Sequence, residues 1–227
     1  MPPDAVLFDL DGTLVDREPL MTEAVIRVTA ELGIDLRSGT AESWVGSAWP
    51  DFHAGLGVQD QTGLDLTAFL ERIQATAALL IDDGFPIRVL PGGADLVHRL
   101  RVRGVPVGVV TGSMRGEATD ALAGLGVLDV LDLLLTAEDY RPGKPHPACY
   151  LLAAERLEVP PDRCVAIEDS MVGVASAVAA GMWTVGVEAA NAEPGHAAHQ
   201  RLDDAHVVVP TLELLTDELL EPWGTGR

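Results

Sequence analysis

Residues 5–16 read Ala-Val-Leu-Phe-Asp-Leu-Asp-Gly-Thr-Leu-Val-Asp, and the rest of the chain is organised around them. Four apolar residues lead directly to Asp9, and Gly12 interrupts the run. This pattern predicts a short buried strand that ends in a tight turn. Two carboxylates, Asp9 and Asp11, then lie at the carboxyl end of the strand, where ligands bind in open α/β sheets.

The spacing of these two aspartates allows more than one interpretation. On a regular strand, residues two apart share a face, so Asp9 and Asp11 would repel each other. A cation between them, or a turn at Leu10 that gives them separate roles, would remove the repulsion. The simpler alternative is that both are turn-forming aspartates that cap the strand. The downstream sequence decides against that alternative.

From Pro91 onward, apolar segments alternate with helical ones. We expect strands over residues 105–110, 131–136, 164–167, 184–187 and 206–209, with helices between them. This alternation predicts an α/β protein with a doubly wound parallel sheet. The preceding stretch has helical spacing and no strong strand, so we expect a core of residues 1–15 and 88–227 and a helical insert of residues 16–87.

Within the insert, we expect Asp16 to cap a first helix that runs to Gly33. A short helix near residues 41–45, an irregular segment over 46–63 and a longer helix over 66–81 follow. Its aromatic residues, Trp44, Trp49 and Phe52, suit core packing within the insert better than substrate contact.

The bulk composition limits the function classes. The 227 residues carry a net charge of −20, which argues against nucleic acid or anionic membrane surfaces as partners. No apolar run reaches membrane-spanning length and the first residues contain no basic segment, so we expect a cytoplasmic protein. We also expect a monomer or a weak homodimer. Cys149 and Cys164 lack C-x-x-C spacing and indicate reduced core thiols. His196 and His199 are spaced like half a metal site but suit a polar loop better.

Four short motifs follow one another along the chain: Asp9-Leu-Asp-Gly-Thr, Thr111-Gly-Ser, Gly143-Lys-Pro and Glu168-Asp-Ser. In this order they resemble the haloacid dehalogenase superfamily of aspartate-nucleophile phosphotransferases. The similar variant carries a helical cap directly after the first motif, and the resemblance covers residues 5–209. It implies a Rossmann-like core with all four motifs at one edge of the sheet, and a cap formed by the insert.

The resemblance implies roles for the first two motifs. Asp9 is then the nucleophile that becomes an aspartyl phosphate, and Asp11 is the general acid and base. The Thr111 hydroxyl and the backbone N–H of Gly112 or Ser113 would bind phosphate oxygens. Dehalogenases of the superfamily lack the second acid, so Asp11 favours phosphoryl transfer.

The other two motifs would provide a cation and metal ligands. Lys144, held between prolines, would offset the charge of phosphate and of Asp9. The clustered carboxyls require neutralisation, and oxygen ligands with phosphate chemistry favour Mg²⁺. We expect Asp9, the backbone carbonyl of Asp11 and Asp169 as direct ligands. Glu168 is either a further ligand or acts through water.

The resemblance therefore implies a Mg²⁺-dependent phosphatase that acts on a small phosphorylated metabolite. A phosphomutase of the β-phosphoglucomutase type is the alternative, and a catalytically silent binding protein is a third. Such mutases carry an arginine in a cap loop of sequence Gly-Val-Ser-Arg, whereas the matching residues 46–49 here are Gly-Ser-Ala-Trp. A distal phosphate would lack this fixed cation, which favours hydrolysis.

Overall fold

The computed structural model describes residues 2–36, 49–190 and 201–220, which divide into two compact units. One unit contains the described residues up to 16 and from 89 onward, and the other contains those between 17 and 88. The predicted helix at 41–45, Trp44 and the histidine pair 196/199 lie outside the described residues. Within the described ranges, no helix combines the length and apolar character needed to cross a membrane.

A six-stranded parallel sheet forms the centre of the first unit, with the strand order β5-β4-β1-β6-β7-β8. Its strands are β1 Ala5–Phe8, β4 Val107–Val110, β5 Leu133–Leu135, β6 Cys164–Glu168, β7 Trp183–Val187 and β8 Val207–Val209. The short strands β2 Val15–Asp16 and β3 Arg88–Val89 form a separate two-stranded sheet. The predicted doubly wound α/β fold is confirmed.

Strand β1 lies in the middle of the sheet, and its burial explains its sequence. All four of its residues are buried, as are all four of β4, because parallel strands covered on both faces require continuous apolar side chains. Phe8 is aligned with Val109 on one side and with Ile167 on the other. The next residue of each strand therefore reaches the same edge of the sheet.

The helices of this unit are α5 Gly93–Val102, α6 Arg115–Gly124, α7 Ala148–Arg156 and α8 Met171–Ala179. Ser170 caps the N-terminus of α8, because its hydroxyl accepts a hydrogen bond from the Gly173 N–H at 3.1 Å. Helices α7 and α8 contribute to a core cluster that also contains Cys149 and Cys164. Both cysteines are free and fully buried, so the prediction of core thiols is confirmed.

The second unit is helical, with α1 Glu18–Glu31, α2 Trp49–Gly55, α3 Val58–Thr62 and α4 Leu66–Asp82. Its core gathers residues from all four helices, including Leu20, Phe52, Val58 and Phe69. Phe52 lies between Trp49 and Phe69, with ring centroids 6.0 and 6.4 Å away. Trp49 and Phe52 therefore pack within the unit, as predicted.

Two predictions for this unit were wrong. Asp16 does not cap α1: it belongs to β2, and the helix follows Arg17 without a side-chain cap. The segment over 46–63 is also not irregular where it is described, because α2 and α3 occupy it. Gly57 and Gly63, with φ of 61° and 78°, flank α3, so these glycines end short helices rather than prevent them.

Candidate active site

The carboxyl ends of three neighbouring strands bring the first, second and fourth motifs together. Asp9 follows β1, Thr111 follows β4, and Glu168 is the last residue of β6. The Asp9 N–H donates to the Ile167 carbonyl at 2.9 Å, which continues the pairing of β1 with β6 past the end of β1. The parallel register thus places these side chains side by side at one edge of the sheet.

Lys144 connects these motifs through its ammonium group. Nζ donates to Asp9 Oδ1 at 2.5 Å, to the Val110 carbonyl at 3.0 Å, and contacts Glu168 Oε1 at 2.6 Å. Two of the three ammonium donors are used in hydrogen bonds, and Glu168 Oε1 adds an ion pair. Through these contacts Lys144 holds Asp9 and Glu168 together.

The electrostatics follow from burial and from these neighbours. Burial disfavours a charged Lys144, but Asp9 and Glu168 outweigh it and raise the pKa of the lysine well above its usual value. Burial raises the pKa of Asp9 to about 7; Lys144 opposes this shift, and Glu168 adds to it. Burial, Asp9 and Glu168 also raise the pKa of Asp169. The three carboxyls together thus exceed the positive charge that Lys144 supplies.

Glu168 has partners on the side of the protein core. The hydroxyl of Tyr150, a fully buried residue of α7, donates to Glu168 Oε1 at 2.6 Å. The Ser170 hydroxyl lies 3.3 Å from Oε2, and a Cβ atom on Gly173 would lie only 1.9 Å from that oxygen. The small residue at 173 is therefore required by the Glu168 side chain.

Tyr150 was not identified from the sequence. The sequence feature that could have indicated it is a tyrosine on the apolar face of a predicted helix, because the hydroxyl of a buried tyrosine usually forms a hydrogen bond. That signal indicates that a partner exists but does not identify it. Only the tertiary contact between Tyr150 of α7 and the last residue of β6 shows that the partner is Glu168.

Asp9, Glu168 and Asp169 form a group that is suited to a metal ion. Each offers a carboxylate oxygen, and these oxygens lie within 4.8 Å of one another. Three ionised carboxylates against the single ammonium of Lys144 leave two negative charges, which a divalent cation balances. Oxygen-only donors fit a hard cation such as Mg²⁺. Glu168 already accepts bonds from its protein partners, so it is the least suited of the three to direct ligation.

The groups of the Thr111-Gly-Ser loop take part in hydrogen bonds within the loop and with Tyr140. The Ser113 N–H donates to Thr111 Oγ1 at 3.0 Å, and the Tyr140 hydroxyl donates to the Thr111 carbonyl at 2.8 Å. The Ser113 N–H is thus used inside the loop, whereas Gly112 is exposed and its N–H donates no hydrogen bond in the described part of the chain. Of the two expected phosphate-binding amides, Gly112 is better suited. The Thr111 hydroxyl accepts from Ser113 and keeps its own proton to donate.

The loop also contacts the first motif, which the sequence did not predict. Ser113 Oγ donates to Asp11 Oδ2 at 2.6 Å. The predicted acid/base residue is therefore hydrogen-bonded to the Thr111-Gly-Ser loop, and its side chain does not belong to the three-carboxylate group.

Comparison with known proteins identifies relatives with phosphatase names. A validoxylamine A 7'-phosphate phosphatase from Streptomyces hygroscopicus subsp. limoneus is 36% identical over 182 residues, covering 80% of this chain and 84% of the relative. Hexitol phosphatase B from Escherichia coli K12 is 32% identical over 197 residues, covering 83% and 85%.

A solved structure is similar to this chain over most of its length. The crystal structure of a putative β-phosphoglucomutase from Thermotoga maritima aligns with a TM-score of 0.74 and 26% identity, over 92% of this chain and 95% of that one. A family model described as haloacid dehalogenase-like hydrolase matches residues 3–181, which include all four motifs. The protein is a hydrolase, and it belongs to the haloacid dehalogenase-like family.

Proposed function

We propose that the protein is a Mg²⁺-dependent phosphatase that hydrolyses a small phosphorylated metabolite through an aspartyl phosphate on Asp9. The observation that carries the proposal is the position of Asp9, which is held by Lys144 at 2.5 Å within a cluster of carboxylates suited to a divalent cation. The named activities of the Streptomyces and Escherichia coli relatives, on validoxylamine A 7'-phosphate and hexitol phosphates, support a small organic phosphate as substrate.

In the first half-reaction, a carboxylate oxygen of Asp9 attacks phosphorus. The new bond joins Asp9 to phosphorus, and the ester P–O bond breaks with its electron pair on the leaving oxygen. Asp11 donates a proton to that oxygen. The Thr111 hydroxyl and the Gly112 N–H hold phosphate oxygens, while Lys144 keeps Asp9 oriented and favours its ionised form.

In the second half-reaction, Asp11 accepts a proton from water as the water oxygen attacks phosphorus. The bond between phosphorus and Asp9 breaks, which restores the carboxylate and releases inorganic phosphate. Asp9, Asp169 and the Asp11 carbonyl would hold the Mg²⁺, with Glu168 acting through water. When bound, the cation supplies positive charge that neutralises the carboxylates and the phosphate.

The helical unit of residues 17–88 is proposed to act as a cap that selects the substrate and excludes bulk water. Its place in the chain supports this role, because it is inserted directly after the first motif and has its own apolar core. A matching test compares hydrogen exchange of this unit with and without Mg²⁺ and a metal fluoride. Protection that does not change on saturation with both contradicts the role.

A phosphomutase is the second candidate, and the likeness to the putative β-phosphoglucomutase from Thermotoga maritima favours it. A mutase must retain a bisphosphorylated intermediate, which requires a fixed cation for the distal phosphate. No lysine or arginine occurs between Arg37 and Arg72. Arg72 itself lies 3.6 Å from Glu31, an acidic partner within the helical unit. Hydrolysis of the aspartyl phosphate is therefore favoured over the retention of a bisphosphorylated intermediate that a mutase requires.

The deciding experiment measures phosphate release from a panel of hexose, hexitol and other small monophosphates with Mg²⁺. We expect phosphate release from at least one of them. In parallel, β-glucose 1-phosphate is supplied in an assay coupled to glucose 6-phosphate oxidation. Glucose 6-phosphate formed with little free phosphate identifies a mutase, and no turnover of any compound supports a silent binding protein.

A further inference from the structure

Ser113 and Asp11 are joined by a hydrogen bond that spans 102 positions of the chain. The 2.6 Å separation between Ser113 Oγ and Asp11 Oδ2 is typical of a hydroxyl that donates to a carboxylate, which is among the stronger hydrogen bonds in proteins. Neither the metal group nor the lysine contacts use this hydroxyl.

The backbone on both sides of this hydroxyl is fixed. The Ser113 N–H donates to Thr111 Oγ1 at 3.0 Å, and the Ser113 carbonyl accepts from the Ala137 N–H at 3.0 Å. Hydrogen bonds to other protein groups therefore hold the Ser113 backbone from both sides, and this backbone carries the hydroxyl that reaches Asp11.

The segment that contacts Ser113 is itself tied to the start of α6. The Arg115 N–H donates to Glu138 Oε2 at 2.9 Å, and its guanidinium pairs with Asp139. Asp139 in turn accepts from the Thr136 N–H at 2.7 Å. Together with the bond from the Ala137 N–H to the Ser113 carbonyl, these contacts link the Thr111-Gly-Ser loop to the turn at 136–139 and restrain the backbone that carries the Ser113 hydroxyl.

We propose that Ser113 is a positioning residue for the acid/base carboxyl of Asp11. Its hydroxyl occupies Oδ2 as a donor, so the proton that Asp11 transfers is carried by Oδ1. General acid catalysis depends on alignment between the acid and the leaving oxygen, and a carboxyl free to rotate loses part of this effect. The inference rests on the proposed phosphatase function.

The inference gives each oxygen of Asp11 a separate role. In the first half-reaction the Oδ1–H bond breaks, and the proton joins the leaving oxygen, which keeps the electron pair of the broken P–O bond. In the second, the proton of the attacking water moves to Oδ1. Oδ2 accepts from Ser113 throughout. A poor leaving group therefore depends on Ser113, whereas a leaving group that is stable as an anion does not.

The test compares Ser113→Ala and Ser113→Thr with the wild type on 4-nitrophenyl, phenyl and benzyl phosphate in the presence of Mg²⁺. These probes are similar in shape but differ in their need for protonation. The ratio kcat/KM reports the formation of the aspartyl phosphate. We expect Ser113→Ala to lower kcat/KM for benzyl phosphate about tenfold or more and for 4-nitrophenyl phosphate less than about threefold. Ser113→Thr, which keeps the hydroxyl, should restore the benzyl phosphate value.

Other outcomes overturn the proposal. If Ser113→Ala lowers kcat/KM equally for all three probes, or for none of them, the hydroxyl does not direct proton transfer. The same conclusion follows if Ser113→Thr is as defective as Ser113→Ala. Thermal unfolding of both variants distinguishes a defect in proton transfer from damage to the fold. If the wild type releases phosphate from none of the probes or the metabolite panel, the proposed function fails, and the inference fails with it.

Discussion

The carboxylate of Asp169 occupies the space that a side chain on Gly12 would need: a Cβ atom built on Gly12 would lie 1.9 Å from Asp169 Oδ2. Gly12 also has a φ of +82°, a conformation that glycine adopts without steric cost. Two independent requirements therefore select glycine at this position. The absence of a side chain at Gly12 in the first motif leaves space for the Asp169 carboxylate of the fourth motif. The position of the predicted metal ligand Asp169 therefore depends on Gly12, which is next to the predicted acid/base Asp11.

We predict that Gly12→Ala lowers both the stability and the affinity for Mg²⁺, because Asp169 must move. Gly126→Ala is the matched control, since Gly126 has a similar φ of +74° but a Cβ there meets nothing within 4 Å. The control should cost only the conformational term, about 1–2 kcal/mol. Urea unfolding and Mg²⁺ titration calorimetry measure the two effects. Equal losses of stability and unchanged Mg²⁺ affinity would show that the close contact is unimportant.

Asp9→Asn should abolish turnover while the protein remains folded. Asparagine has nearly the same size, but its amide cannot form the aspartyl phosphate. Steady-state phosphate release and near-ultraviolet circular dichroism check the two parts of the prediction. Asp129→Asn is the control and should keep wild-type activity, because Asp129 is exposed in the connection between α6 and β5 and belongs to none of the four motifs. A purified Asp9→Asn variant that retained most of its activity would refute the nucleophile assignment.

Chelation with EDTA should remove activity, and Mg²⁺ should restore it, because two negative charges at the site need a divalent counter-ion. Asp169→Ala should weaken Mg²⁺ binding far more than Glu168→Gln does. Glu168→Gln should instead act mainly on stability, since it removes one of the two buried carboxylates that pair with Lys144 while Asp9 remains as its counter-charge. Calorimetric Mg²⁺ titration and urea unfolding of both variants measure this. The reverse order of Mg²⁺ affinities would overturn the ligand assignment.

Gly112→Ala tests the phosphate site separately from the fold. A Cβ at this position meets no protein atom within 4 Å, so we expect the free energy of unfolding to change little. A phosphate bound to the Gly112 N–H would be crowded by the methyl group, and losing a bond to a charged oxygen weakens binding about tenfold or more. Inhibition by orthovanadate measures this affinity. An unchanged inhibition constant would place the phosphate elsewhere.

The sequence alone was sufficient for the parallel sheet and the identity of the motif residues. Buried parallel strands require continuous apolar runs, so β1 and β4 are visible without any tertiary information. Strand ends in such a sheet converge on one edge, which predicts that Asp9, Thr111 and Glu168 meet there. These features follow from local patterns and from a general rule of topology.

Local signals were insufficient where tertiary contacts decide the structure. Aspartate commonly caps helices, but Asp16 lies in strand β2 instead. The glycines Gly57 and Gly63 flank helix α3, although the composition of this segment predicts an irregular structure. Residues 46–63 show too little periodicity for a helix, yet Phe52 and its neighbours are stabilised by packing against α4.

Only the tertiary structure decided how the site residues are partnered. Lys144 lies 135 positions from Asp9, and Ser113 lies 102 positions from Asp11. Whether such side chains meet depends on the register of neighbouring strands and on rotamers set by packing, neither of which leaves a local pattern. The sequence by itself therefore determined which chemical groups are present at the edge of the sheet. The packing of the chain determined that Lys144 points at carboxylates, that Tyr150 supports Glu168, and that Ser113 holds Asp11.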